Sequence, residues 1–428
     1  MLKRGQGKVI FLELRDWTER IQIFIGKKQV GDDGWALVDL LDLGDLLGVD
    51  GTLGYTKTGE LTIFATKLTF LSKSLLPPPE KWHGLTDLEQ RYRRRYVDLF
   101  TNPESLQTFL GRSKIIASFR AVMGRKGFVE VETPTMQAIA GGAAARPFVT
   151  HHNALDIELF LRIAPELYLK RLLVGGMERV FEIGRVYRNE GISPKHNPEF
   201  TMMEAYQAYG DYHAMMDLTE SLICGAIEAI GGGYERPWGD TTVNFTPPWP
   251  RRTYASLLEE YAGVDPTDFD AVKTRAEKAG IATAGKDRDV VISELFEEVV
   301  EDQLRGPIFV IDYPAAICPL TKRKTSNPAV AERFELYVEG MELANAYTEL
   351  NDPMLQEELF RSQLAGLPED ESMAKTDDDF VRALKHAMPP AGGLGIGIDR
   401  LCMILMNRQS IRDVVLFPLM RPHAPGAE

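Results

Sequence analysis

The sequence predicts an α+β protein in which a small β-barrel precedes a larger domain of strands and helices. Three observations predict this. The first seventy or so residues fall into short apolar runs separated by Gly and Asp turns. The segment Leu75-Leu76-Pro77-Pro78-Pro79-Glu80 then fixes an extended backbone poor in donors, which marks a domain boundary at about residue 75. Beyond it, a capped helix leads into a strand, and later into a long charged hairpin. A chain of 428 residues exceeds what one core usually organises, so at least two domains are expected, 1–75 and 76–428.

The β-runs of the first domain are Val9–Leu14, Arg20–Ile25, Leu46–Gly54 and Leu61–Leu71, with Lys57-Thr58-Gly59-Glu60 as a turn. After the prolines, Asn102-Pro103-Glu104 supplies an N-cap and a Pro at the first helical position. The helix it opens runs to about Lys126, with Leu106, Ile115, Phe119 and Val122 on its apolar side, and Gly127 ends it. Phe128–Thr133 alternates as a strand and Pro134 stops it. From about Tyr212 to Gly306 the pattern is mainly helical with acidic faces, which suggests a helical insertion.

Composition narrows the class. Hydrophobic residues at 44% and charged residues at 26% suit a globular protein, and no apolar run approaches the ~20 residues of a membrane helix. The basic start has no apolar h-region, so no signal peptide is expected and the cytoplasm is the expected location. Cys224, Cys318 and Cys402 lie too far apart in sequence for a CxxC motif and are expected to be buried thiols. A net charge of −13 argues against a general nucleic-acid binder. The surplus is local, however: residues 1–75 hold ten Lys/Arg against ten Asp/Glu, whereas Pro368-Glu369-Asp370-Glu371 and Asp377-Asp378-Asp379 are acidic.

Three segments carry chemistry. Phe181–Gly191 and His196–Tyr206 are two alternating arms around a polar loop, a hairpin with charge near its tip. An arginine there can bridge a phosphate and the carboxylate attacking it, while Phe200 can cover a purine face. Taken alone, an Arg–Glu strand is more often a surface ion pair. Gly392-Gly393-Leu394-Gly395-Ile396-Gly397-Ile398-Asp399-Arg400 runs into an apolar helix, Leu401–Met406. Its glycines allow a ligand close to the backbone, but the spacing does not fit a dinucleotide fingerprint. In Arg333–Asp352, Glu335 and Glu342 could give hard oxygens to Mg²⁺; singly, each could equally be a surface acid. Their apolar neighbours weaken that second reading, because an ionised Glu in such company needs a cation or a donor.

Together these segments resemble motif 2, the metal-and-amino-acid strand and motif 3 of class II aminoacyl-tRNA synthetases, and residues 103–134 look like motif 1. The wording of Gly141–Phe148, Leu161–Leu169 and Asn345–Asp352 resembles the lysyl-tRNA synthetases in particular. The resemblance implies an antiparallel catalytic sheet flanked by helices, preceded by an OB-fold. It further implies that ATP is held by Arg188, Glu190, His196, Asn197, Phe200 and Arg400, with Arg188 and Arg400 catalytic. Mg²⁺ falls to Glu335 and Glu342. L-Lysine falls to Gly142, Glu166, Glu204, Tyr206, Asn345, Tyr347 and Glu349. A free lysine brings two ammonium groups into a partly dehydrated pocket, and fixed acids answer that need. Aspartyl and asparaginyl enzymes should present cations where this chain has Glu349 and Tyr206.

The implied partners are ATP, L-lysine, tRNA(Lys) and a second copy of the chain through motif 1, without a membrane. Phe11, Gln22 and Glu60 match positions that read the anticodon; without the resemblance, Phe11 reads equally well as a barrel-core residue. Family members begin upstream of where this sequence does, so the barrel is expected to be incomplete at its start. Two other functions compete: a paralogue passing activated lysine to a protein, and an RNA-binding relative without chemistry. Phe11, Gln22 and Glu60 speak against the first, and Arg188, Glu335, Glu342 and Arg400 against the second.

Overall fold

The computed structural model describes residues 2–4, 7–76, 78–79, 85–143, 145–364 and 377–422. Pro77, Glu80, Ala144 and the acidic Pro368–Glu371 stretch lie outside the described residues. The chain divides into two compact units, Met1–Leu106 and Gln107–Glu428.

In the first unit the four expected runs form as Val9–Arg15, Arg20–Gly26, Leu46–Tyr55 and Leu61–Ser72. With Leu2–Arg4 they make one sheet in the order Leu2–Arg4, Val9–Arg15, Arg20–Gly26, Leu61–Ser72, Leu46–Tyr55. The pair Arg20–Gly26 and Leu61–Ser72 is parallel and the other neighbours are antiparallel. Its two end strands do not pair among the described residues, so the expected barrel is an open five-stranded sheet there. Two-residue alternation sends Ile10, Ile23, Ile25 and Ala65 into a small core. The helix Lys27–Asp39 was hidden in the sequence by Gly31, whose φ of +74° interrupts it, and by the Asp32-Asp33 pair.

The second unit is built on a mixed sheet. Its strand order is Arg251–Thr253, Ile308–Pro314, Asn327–Val338, Met341–Thr348, Ala391–Gly397, Glu199–Ala208, Arg179–Tyr187, Val129–Glu130. The six middle strands are antiparallel to their neighbours; only the two end strands pair in parallel. Tyr212–Ile230, Pro103–Arg125 and Ile398–Leu405 cover it, packing Met215, Leu222, Phe119 and Leu401 against Phe334, Leu336, Leu394 and Ile396.

Two expectations need correcting. Only Val129–Glu130 of the stretch 128–133 forms a strand, because Thr133 instead gives its N–H (3.2 Å) and hydroxyl (2.6 Å) to the Glu182 carboxylate. The stretch from about 212 to 306 is not uniformly helical. Tyr212–Ile230 belongs to the main core, Glu235–Trp238 and Thr241–Asn244 pair as a hairpin, and Arg251–Thr253 is the edge of the main sheet. Helices Phe269–Lys278 and Arg288–Val299 do form a separate core, in which Phe296 stacks on Tyr254 at 4.0 Å.

Phe119 is wholly buried in the main core. Phe119→Ala should therefore lower the unfolding free energy by about 3–5 kcal/mol in denaturant titration; a loss below about 1 kcal/mol would show that the site collapses freely.

Candidate active site

A cavity of about 410 Å³ opens on the middle of this sheet, and Ala391–Gly397 is its floor. The odd spacing Gly393-x-Gly395-x-Gly397 is a strand period of two: the glycines face the cavity, while Leu394 and Ile396 are buried in the core. Register then places the neighbours' side chains around a bare backbone. Gly393 lies between Tyr206 and Tyr347, and Gly395 between Glu204 and Asn345. One strand further, the same rows continue to Arg333 and Glu335. Hence residues up to about 200 positions apart converge.

At the Gly393 end the lining is acidic. Glu166 opens helix Glu166–Val174 and accepts a hydrogen bond from the Tyr347 hydroxyl at 2.8 Å. Gly142 packs on it with φ +87°; a Cβ there would be strained and only 3.0 Å from Glu166 Cβ. Tyr206 donates to Glu204 Oε2 at 3.0 Å. Burial, reinforced by Glu166, pushes the Glu204 carboxyl up to about 8 against the opposing pull of Tyr206, Arg188 and Lys170. Glu349 is fully buried at this end, on the cavity side of the floor strand, its carboxyl against Gly393 and Tyr206. Its Oε2 is ion-paired with Lys170, and its Oε1 has no hydrogen-bond partner among the described residues. A Cβ on Gly393 would collide with that Oε1 and come within 2.6 Å of the Tyr206 ring.

At the Gly397 end the lining is cationic. Arg188 lies just past the end of Arg179–Tyr187, its guanidinium 5.1 Å over the Phe200 ring. Its Nε is buried without a hydrogen-bond partner among the described residues, and burial lowers its pKa. Such a group needs an anion. Arg400 follows the floor strand at the start of Ile398–Leu405 and donates to His196 Nε2 at 2.9 Å. His196 Nδ1 therefore carries the proton and donates to Ser193 Oγ at 2.8 Å; burial and the Arg400 charge lower its pKa, keeping the ring neutral. Asn197 is tied to the backbone of Glu199 at 2.6 Å, and Glu190 lines the same end.

Glu335 and Glu342 complete the lining from adjacent strands. Glu335 Oε2 accepts from Tyr313 (2.8 Å) and Tyr337 (2.6 Å), and Arg333 bonds to its Oε1. Burial and the Glu335 charge raise Glu342. Two neighbouring carboxylates, one so raised, facing a cationic end form a donor set that suits a hard divalent ion shared with phosphates. No cluster of three or more metal-type side chains exists among the described residues.

In the other unit, Phe11 is not a core residue. It faces away from Ile10 and Ile23 in a row with Phe24 (5.4 Å) and Phe64 (5.3 Å from Phe24), an aromatic face across three strands. Gln22 is on that face, bonded to Thr62 Oγ1 at 3.1 Å, and Glu60 is exposed just before the third strand. The sequence reading missed Phe24 and Phe64, though both fall at the alternation of Phe11.

Comparison with known proteins agrees with this geometry. The family described as tRNA synthetases class II (D, K and N) matches residues 87–421, and the OB-fold nucleic acid binding domain matches 1–71. The chain belongs to these class II tRNA synthetases. Three proteins named lysine–tRNA ligase are similar over nearly the whole chain. That of Carboxydothermus hydrogenoformans is 53% identical over 99% of this chain and 88% of its own length. That of Pelotomaculum thermopropionicum is 53% identical (99% and 85%), and that of Dehalococcoides mccartyi strain BAV1 is 50% identical (98% and 86%). Within the class, the chain belongs to the lysine–tRNA ligase family.

The raised Glu204 fixes a sign for stability. A carboxyl that holds its proton more tightly when folded stabilises fully below its unfolded pKa and loses that contribution as pH rises through about 8. Glu204→Gln should thus melt close to wild type near pH 5 but be more stable at pH 9, by roughly 1–3 kcal/mol; greater stability of wild type at pH 9 would contradict this burial.

Proposed function

We propose that the chain joins L-lysine to ATP, forming lysyl-adenylate and pyrophosphate, and then passes the lysyl group to the 3′-terminal adenosine of tRNA(Lys). The observation carrying this reading is the polarity of the cavity: fixed acids at one end of a glycine floor and, at the other, cationic side chains of which Arg188 has a buried Nε without a hydrogen-bond partner among the described residues. L-Lysine spans these ends with its ammonium groups toward the acids and its carboxylate toward Arg188.

In this reading the ε-ammonium meets Glu349 Oε1 with Tyr206 and Glu204 beside it, and the α-ammonium meets Gly142 and Glu166. Asn345 and Tyr347 border the carboxylate and the side chain. Phe200 stacks on adenine, Glu190 binds its edge, and Arg188 bridges the α-phosphate and the lysine carboxylate. His196, Asn197 and Arg400 hold the outer phosphates. Mg²⁺, when bound by Glu335 and Glu342, neutralises phosphate charge.

A carboxylate oxygen of lysine attacks the α-phosphorus, the bond to the bridging oxygen breaks, and pyrophosphate leaves. A ribose hydroxyl then attacks the activated carbonyl, its proton passing to water or phosphate, and AMP leaves. The protein supplies position and charge, with no covalent intermediate of its own. The functional division follows residues 1–75 and 76–428, with Phe11, Gln22 and Glu60 for the anticodon. A homodimer through residues 103–134 is supported by exposed Val129, 51% accessible. No helix among the described residues is long and apolar enough to cross a membrane; the cytoplasm is the proposed location.

Lysine-dependent ATP–pyrophosphate exchange, run beside aminoacylation of total tRNA, tests this. Absence of exchange with every amino acid would sink the reading, and exchange without charging would favour the protein-modifying paralogue. Glu349→Gln should raise the KM for lysine about 100-fold while shifting that for ATP less than about threefold; equal losses would misplace the pocket. Gly393→Ala should act in the same direction, since its Cβ would occupy the space of Glu349 Oε1.

A further inference from the structure

One ion buried at the acidic end of the cavity has no part in the reaction just described. Lys170 lies one turn after Glu166 on Glu166–Val174, and its side chain is completely buried. Its Nζ is 2.6 Å from Glu166 Oε1, ion-paired with Glu349 Oε2 and 5.5 Å from the centre of the Tyr347 ring. Burial works against its charge, yet the attraction of Glu166 and Glu349 prevails and holds it protonated, at about 12.

A buried ion pair is a poor device for stability, since apolar side chains of similar size often do as well. The geometry points to another use. Glu349 has one oxygen ion-paired with Lys170 and the other without a hydrogen-bond partner among the described residues, beside Gly393 and Tyr206. The other charged or titratable groups around this pair are Glu166, Glu204, Tyr206, Tyr347 and, further off, Arg188. Four of these are acids or phenols held close together; burial and the Glu166 and Glu204 charges raise the Glu349 carboxyl to about 8 even against the pull of Lys170, and without that cation it would take up a proton more readily still.

We propose that Lys170 is a positioning residue for the amino-acid substrate: its ammonium takes one oxygen of the Glu349 carboxyl and so turns the other toward the space that the substrate's side-chain ammonium enters. This rests on the lysine-activating reading above. The chain thus carries an internal copy of the group it selects, placed one oxygen away from where the substrate's own group arrives.

The test is Lys170→Met in the full chain, with lysine-dependent ATP–pyrophosphate exchange followed from about pH 6.5 to 9. The KM for lysine should rise about tenfold or more near pH 7, the KM for ATP should stay within about twofold, and the deficit should shrink toward pH 9 as the acids ionise unaided. An unchanged or lower KM for lysine would overturn the proposal, the latter by making Lys170 a plug that competes with substrate. So would equal, pH-independent losses for both substrates, the mark of a merely structural residue. Should the variant fail to fold, Lys170→Arg, which keeps the charge but moves it, decides the matter: its KM for lysine should rise about threefold or more with that for ATP within about twofold, and unchanged values for both would overturn the proposal. Wild-type chain that exchanges with no amino acid would remove the functional reading itself, whereas normal exchange with an unaltered variant removes only the role of Lys170.

Discussion

Pairing of the glycine-faced strand Ala391–Gly397 with Glu199–Ala208 on one side and Met341–Thr348 on the other creates the whole site. A strand normally puts a side chain on each face at every second residue. Here three consecutive outward positions have none, and the space they vacate is the cavity. Everything else follows from register. Tyr206, Tyr347, Glu204 and Asn345 stand at the sides because they are paired with glycines, and Arg333 and Glu335 come next because the same rows run on. Sliding any one of these strands by a residue would send its half of the lining into the core.

A cavity so formed is partly dry, and that sets the second constraint. Each charge lining it must be held by the protein or be left for a ligand. The structure makes the distinction atom by atom. Asp399 is held by Arg112 and the backbone N–H of Thr201, which fixes the start of the helix bearing Arg400. By contrast, Arg188 Nε and Glu349 Oε1 have no hydrogen-bond partner among the described residues. One is a cation awaiting an anion and the other an anion awaiting a cation, near opposite ends of the same floor.

Much of this was legible in the sequence, for identifiable reasons. The β-runs of the first unit and the helix Pro103–Arg125 carry clean periodicity and clear turn or cap residues, so their bounds were read to within a residue or two. The site residues were legible only through the joint wording of three distant segments, because no single segment distinguishes a surface ion pair from a phosphate ligand. The helix Lys27–Asp39 was illegible because its glycines and aspartates break the apolar period. The strand after Gly127 was read too long because local alternation cannot say that Thr133 will spend its donors on Glu182. Phe11 could not be assigned to core or surface until its neighbours Phe24 and Phe64 fixed the face it shares.

Lys170 shows where sequence reasoning stops. Glu166 and Lys170 are four residues apart on a helix, a spacing that ordinarily marks an exposed pair contributing a few tenths of a kcal/mol, about 0.3–0.5. Nothing in the helix itself overrides that reading; Leu167, Leu169 and Leu173 are buried, yet any half-buried helix has such residues. What changes its meaning is Glu349, 179 positions later, brought beside the floor strand by a backbone bond from its own N–H to the Ala391 carbonyl at 2.8 Å. A third charge turns a surface pair into a buried triad, and the unmatched oxygen of that triad is the feature with which a cationic substrate can be recognised. In the proposed reading, specificity for a cation in this fold draws on a cation of the protein's own, because an acid in a dry pocket without one would hold its proton still more tightly against the arriving substrate.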